Sequence, residues 1–112
     1  MRGWGERAPG HPRVVVVPSY RVRMVVGDLR DGVDPATVLP AAAGAARGLT
    51  TVEASDVEVV RGAPRLTVRF EAPDDATAAA VRRAVVGRTD ELVEVEVSRV
   101  YRRYGPRWYP LR

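Results

Sequence analysis

The sequence predicts an α+β domain, because two kinds of hydrophobic period alternate along it. Segments with a period of two occur at 20–26, 57–61, 65–72 and 92–100. Two Ala-rich segments, near 35–47 and 76–86, read as helices and lie between the first and second and between the third and fourth of these. Short Gly/Pro connections leave little room for any further element.

Each element has a local reason. In YRVRMVV, Tyr20, Val22, Met24 and Val26 share one face, with Arg21 and Arg23 on the other. DLRDGVDP follows as a turn-rich link, and Asp34-Pro35 reads as a helix N-cap followed by its first position. That helix runs to about Arg47, with Gly48 to end it; Pro40 predicts a kink or a start delayed to that residue. VEVVR and RLTVRFEA flank Gly62-Ala63-Pro64 as a hairpin, with Leu66, Val68 and Phe70 inward and Arg65, Thr67 and Arg69 outward. Asp74 or Asp75 caps the second helix, which Gly87 is expected to terminate. In that helix Val81, Ala84 and Val85 form the apolar stripe, and Arg82 and Arg83 face solvent. In LVEVEVSRV, Val93, Val95 and Val97 are expected inward and Glu94, Glu96 and Ser98 outward, with a bulge at Ser98-Arg99.

The order β-α-β-β-α-β is the ferredoxin-like plan. It implies a four-stranded antiparallel sheet in the order 4-1-3-2, two helices on one face, and extended N- and C-terminal arms. The divisions are a basic leader at 1–13, the domain at 14–100 and an Arg/aromatic arm at 101–112.

Composition narrows the chemistry. The 112 residues include no cysteine, which excludes disulfides, thiolate chemistry and cysteine-ligated metals. The one histidine, His11, lies in the Gly/Pro-rich leader. Lys, Asn, Gln and Ile are also missing, as expected of a high-GC gene, so every positive side chain at neutral pH is an arginine. No apolar stretch approaches the roughly 20 residues of a membrane span, and the cytoplasm is the expected compartment. Charge is segregated: net +2 over 1–13, −3 over 14–98 and +5 over 99–112.

One loop resembles the start of an ACT domain, a ferredoxin-like module that binds amino acids at domain interfaces. The likeness rests on a strand ending at Asp28 and on Gly32-Val33 leading into a helix. Asp28, Asp31 and Gly32 would then form a small-ligand loop. The chain departs from that pattern in having no Pro before Gly32 and Thr50-Thr51-Val52 before the second strand. On the residues alone, Asp28, Asp31 and Asp34 are turn and cap formers, since calcium loops need a denser ligand register.

No enzymatic constellation is visible. Ser19, Ser55 and Ser98 have no histidine or lysine near them in an ordered element, and no phosphate loop or zinc motif occurs. No cofactor or metal is expected. The outward residues of the central strands include no aromatics for stacking bases, and Glu94 and Glu96 are expected to neutralise Arg21 and Arg23; an anion-binding face is the alternative reading of these arginines.

The arm YRRYGPRWYPLR holds the remaining candidates, Tyr101, Arg102, Arg103, Tyr104, Arg107, Trp108 and Tyr109. Arg, Trp and Tyr are enriched at interface hot spots. The arm therefore predicts a non-catalytic domain that self-associates, as a homodimer, and acts through protein contacts. Nucleic-acid binding by the basic ends is the alternative, and ACT-like ligand sensing a further one.

Overall fold

The structure, a computed structural model, describes residues 17–111. The basic leader at 1–13, with Trp4 and His11, falls outside the described residues. So do Val14 to Val16, the first residues of the expected domain.

The chain forms an open five-stranded antiparallel sheet with two α-helices. Strand β1 is Ser19–Leu29, β2 Val52–Val60, β3 Ala63–Glu71, β4 Val93–Tyr104 and β5 Arg107–Pro110. Helix α1 is Val38–Arg47 and α2 is Asp75–Asp90. The sheet order is β2-β3-β1-β4-β5. The expected four strands become five, because residues 101–111 do not leave the domain as an extended arm. Gly105, at φ 58°, takes the left-handed first position of a tight turn before Pro106. Strand β5 then folds back on the end of β4, pairing Arg103 with Trp108 and Tyr101 with Pro110.

The core lies between the helices and one sheet face. Tyr20, Val22 and Met24 of β1 meet Leu66, Val68 and Phe70 of β3 beneath Ala42 and Ala46 of α1 and Ala78, Val81 and Val85 of α2. The Tyr20 and Phe70 rings stack with centroids 5.9 Å apart. Alanines facing the sheet let both helices approach closely, so a small chain buries its strand side chains almost completely.

Several local expectations are corrected. Asp34 caps a short 3-10 turn, Pro35–Thr37, before α1 begins at Val38. Pro40 then falls in the first turn of α1, where backbone N–H groups have no intrahelical partner, so neither a kink nor a start at Pro40 is needed. Gly87 does not end α2. The helix continues to Asp90, and Thr89 is buried with its hydroxyl donating to the Val85 carbonyl at 2.7 Å. A helical glycine costs about 1 kcal/mol, less than the burial gained by one more turn. The β2–β3 turn is Arg61-Gly62, at φ 53° and 81°, rather than the three residues from Gly62 to Pro64. Both central residues are left-handed, as a type I′ hairpin requires.

The largest correction concerns β4. The register passes from Val25↔Val97 to Val26↔Val95, so Glu96 is an extra residue and the bulge comes before Ser98. Val97 therefore turns to the uncovered face and is 48% exposed, while Ser98 turns to the helix side, where Arg82 donates to its hydroxyl at 2.8 Å, and Val100 returns to the core. A second shift follows at Gly27–Asp28, between Val26↔Val95 and Leu29↔Val93.

Candidate functional site

The sheet face that no helix covers among the described residues is built by alternation. Ser19, Arg21, Arg23 and Val25 of β1 point away from the helices, because their neighbours Tyr20, Val22, Met24 and Val26 are buried. Antiparallel pairing extends this face across the sheet. Arg21 lies opposite Arg69 of β3 and Tyr101 of β4, while Arg23 lies opposite Thr67 and Arg99. Arg65 pairs with Val25 on one side and Glu58 on the other.

The expected neutralising lattice is therefore overturned for β1. Glu94 and Glu96 do not reach Arg21 or Arg23. The register that sets Arg23 against Arg99 places them at the far end of the face, where their carboxylates sit over Gly27; a Cβ there would be 2.7 and 2.6 Å from them. Among the described residues, Arg69 finds a carboxylate in Glu53 at 2.8 Å. The register still sets Arg21 against Arg69 and Arg23 against Arg99, pairs of like charge on neighbouring strands. Burial, and next the adjacent Arg23, hold the Arg21 guanidinium below its ordinary pKa. The Nε atoms of Arg21, Arg23 and Arg65 are buried with no hydrogen-bond partner among the described residues.

Aromatic rings lie among these cations. Parity places Tyr101, Arg103 and Trp108 on the uncovered face. The Arg21 guanidinium sits 4.6 Å from the Trp108 ring centroid and 5.1 Å from that of Tyr101. Arg69 and Arg103 lie 5.6 and 5.8 Å from Trp108, and Arg23 lies 5.9 Å from Tyr101. Two shallow grooves cross the face and share Arg23. One, of about 180 Å³, lies by Arg69 and Trp108; the other, of about 200 Å³, by Arg65 and Tyr101. As expected, β1 and β3 carry no outward aromatics, but β4 and β5 do. Alternation on the first and third strands could not reveal them.

The predicted arm residues are divided between two faces. Arg102 points to the helix side, where its Nη1 donates to Asp75 at 2.8 Å and to the Tyr20 hydroxyl at 3.2 Å. Tyr104 and Tyr109 pack edge to face at 5.5 Å on that same side, each about half exposed. Arg107 is exposed opposite Tyr104. Arg21, Arg23, Arg65 and Arg69 take the outward positions expected of them, and Arg99, which the sequence reading missed, joins them on this face. Outward arginines two or four apart on adjoining strands were the available signal.

The Asp28–Gly32 loop lies at the opposite end of the domain. The Arg30 amide donates to Leu92 O at 2.9 Å, and its side chain pairs with Asp90 at 3.1 Å. Asp28, Asp31 and Gly32 are exposed. Beside them a groove of about 260 Å³ is lined by apolar groups, including Leu29, Pro35, Leu39, Val57 and Pro64. Polar groups that would fix an amino acid do not converge there among the described residues. No cluster of His, Cys, Asp or Glu able to hold a metal, and no helix long and apolar enough to cross a membrane, occurs among the described residues.

Comparison of the chain with protein-family models, with curated proteins and with solved structures gives no match.

Proposed function

We propose that this is a non-catalytic binding module on the ferredoxin-like plan, extended by one C-terminal strand, whose uncovered face takes a polyanionic partner in the cytoplasm. Support for the plan is the sheet order, in which β4, β1, β3 and β2 are successive neighbours and β5 is added outside them. The observation that carries the functional reading is the pair of cross-strand arginine contacts, Arg21 with Arg69 and Arg23 with Arg99. Like charges directly opposite each other destabilise a sheet, by roughly 0.2–1 kcal/mol per pair. An anion laid over the face converts that repulsion into attraction.

The test is retention on immobilised heparin, with elution by salt. The wild-type chain is retained at low salt, and the double variant Arg21→Glu/Arg23→Glu, if folded by circular dichroism, is not. Passage of the wild-type chain without retention at low salt would defeat the reading.

A second reading, self-association as a homodimer, has its own support. Val57 and Val59 of edge strand β2 are 50% and 67% exposed, and Leu29 across the apolar groove is 40% exposed. Apolar side chains grouped beside a strand edge left unpaired among the described residues favour a second copy. Light scattering at micromolar concentration tests this, since Val57→Glu/Val59→Glu should return any dimer to the 12.2 kDa monomer.

A further inference from the structure

The proposal that follows rests on the polyanion reading and names the partner. We infer that the uncovered face binds a single-stranded nucleic acid, with phosphates on the arginines of β1 and β3 and bases stacked at Tyr101 and Trp108.

The layout of the face largely divides the two chemistries, with Arg99 and Arg103 of β4 lying among the rings. Arg21, Arg23, Arg65 and Arg69 occupy β1 and β3, in the middle of the sheet, whereas Tyr101 and Trp108 stand on β4 and β5 beside them. Adjacent strands are about 4.8 Å apart, so the two strips are separated by roughly one to two strand spacings. A single strand presents the same division, a charged backbone along one side and flat bases along the other. Alternate residues on a strand are about 6.6 Å apart, so Arg21 and Arg23 meet successive charges of a strand running along β1 rather than one isolated anion.

The stacking surface is partly assembled already. The Arg21 guanidinium lies against both Tyr101 and Trp108, which presents a flat cationic plane beside two rings. Bases stack on aromatic rings and on guanidinium planes alike. An acidic peptide would satisfy the arginines but would leave these planes without a matching partner. A duplex hides the faces of its bases, and its major groove admits a helix or a ribbon rather than a broad sheet. On the β2 side, Glu53, Asp56 and Glu58 border the arginines and repel phosphate, which confines the strand to the β3–β5 part of the face.

The test uses the full chain and four probes: oligo(dT) and oligo(U) of about 12 nucleotides, a duplex of the same length, and heparin, which carries charge without bases. Affinity is read by anisotropy or competition, and stacking by quenching of tryptophan fluorescence. Binding to at least one single strand should exceed duplex binding by about tenfold or more and quench the fluorescence. Trp108→Ala should weaken single-strand binding by about tenfold, on the scale of one lost stacked base, and leave heparin binding unchanged. Trp108→Phe keeps a ring and should retain most of the affinity while losing the quench, which guards against a folding defect in the alanine variant. The relative affinity for oligo(U) and oligo(dT) assigns the source as RNA or DNA. Heparin binding with equal or weaker binding of both single strands, or indifference of single-strand binding to Trp108→Ala, would overturn the inference and leave the polyanion reading standing. No binding to any probe would overturn both.

Discussion

The Tyr20 hydroxyl donates a hydrogen bond to Asp75 Oδ1 at 2.7 Å, joining the floor of the core to the first turn of α2. Arg102 donates to both groups, at 3.2 Å to the hydroxyl and 2.8 Å to the carboxylate, so β4 is tied to the same point. Tyr20→Phe keeps the ring stacked on Phe70 and removes only the hydroxyl. A hydrogen bond to a charged group contributes about 1.5–3 kcal/mol. Asp75 is half open to water, so the lower end applies, and urea denaturation at neutral pH should show a loss of about 1–2 kcal/mol.

The same hydroxyl predicts an alkaline limit. Burial first, then the bond to Asp75, push the Tyr20 pKa up to about 12. An unfolded tyrosine titrates near 10. Its contribution is therefore fully present below about pH 10 and is lost as pH rises from there towards about 12. Stability measured across that window should fall in the wild type, and Tyr20→Phe should fall less. Equal slopes would detach the effect from Tyr20.

On the acid side, the Tyr20 hydroxyl, followed by Arg102, holds the Asp75 carboxyl below its usual range. A depressed carboxyl stabilises the fold above its unfolded pKa, near 3.9, and loses that contribution as pH falls through the lower folded value. Asp75→Asn should be less stable than wild type at neutral pH, and the difference should shrink in acid. Thermal melts at neutral pH and near pH 3 check this.

Most of the buried half of the fold was legible because it depends on parity alone. Tyr20 to Val26 and Leu66 to Phe70 alternate without interruption, and a period of two fixes which side is buried. The face across from it was not legible, because its chemistry depends on register. Whether Arg23 meets a glutamate or Arg99 turns on the register between β1 and β4, and nothing local in VEVEVSRV fixes it or distinguishes the bulged Glu96 from Glu94. Trp108 was recognisable as a ring that must pack. Its place over Arg21 follows only from how the Gly105-Pro106 turn pairs β5 with β4.

The Arg61-Gly62 turn should respond to substitution in two directions. Arg61 has a positive φ of 53°, which costs a side-chain-bearing residue roughly 1–2 kcal/mol but is tolerated by Asn. Arg61→Asn creates the Asn-Gly pair that type I′ hairpins prefer and should stabilise by about 0.5–1 kcal/mol. Gly62→Ala, at φ 81°, should destabilise by about 1 kcal/mol or more, although a Cβ there would meet open space. Chemical denaturation of both variants decides the matter, and a neutral Gly62→Ala would refute the turn geometry.

The arginine face should trade stability against binding. Arg23 stands opposite Arg99 and two residues from Arg21, with no carboxylate within salt-bridge distance among the described residues. Replacing it by the neutral, similarly long Gln removes a like-charge contact, so Arg23→Gln should stabilise the free chain by roughly 0.2–1 kcal/mol. The same change should weaken retention on heparin and flatten its dependence on salt, because one cation fewer releases counterions. Sulfate or phosphate should raise the melting temperature of the wild type more than chloride at equal ionic strength, by binding the folded face. That excess should be smaller in Arg23→Gln. A surface kept only for solubility would show the opposite pattern, in which Arg23→Gln leaves stability, heparin retention and the anion response unchanged together.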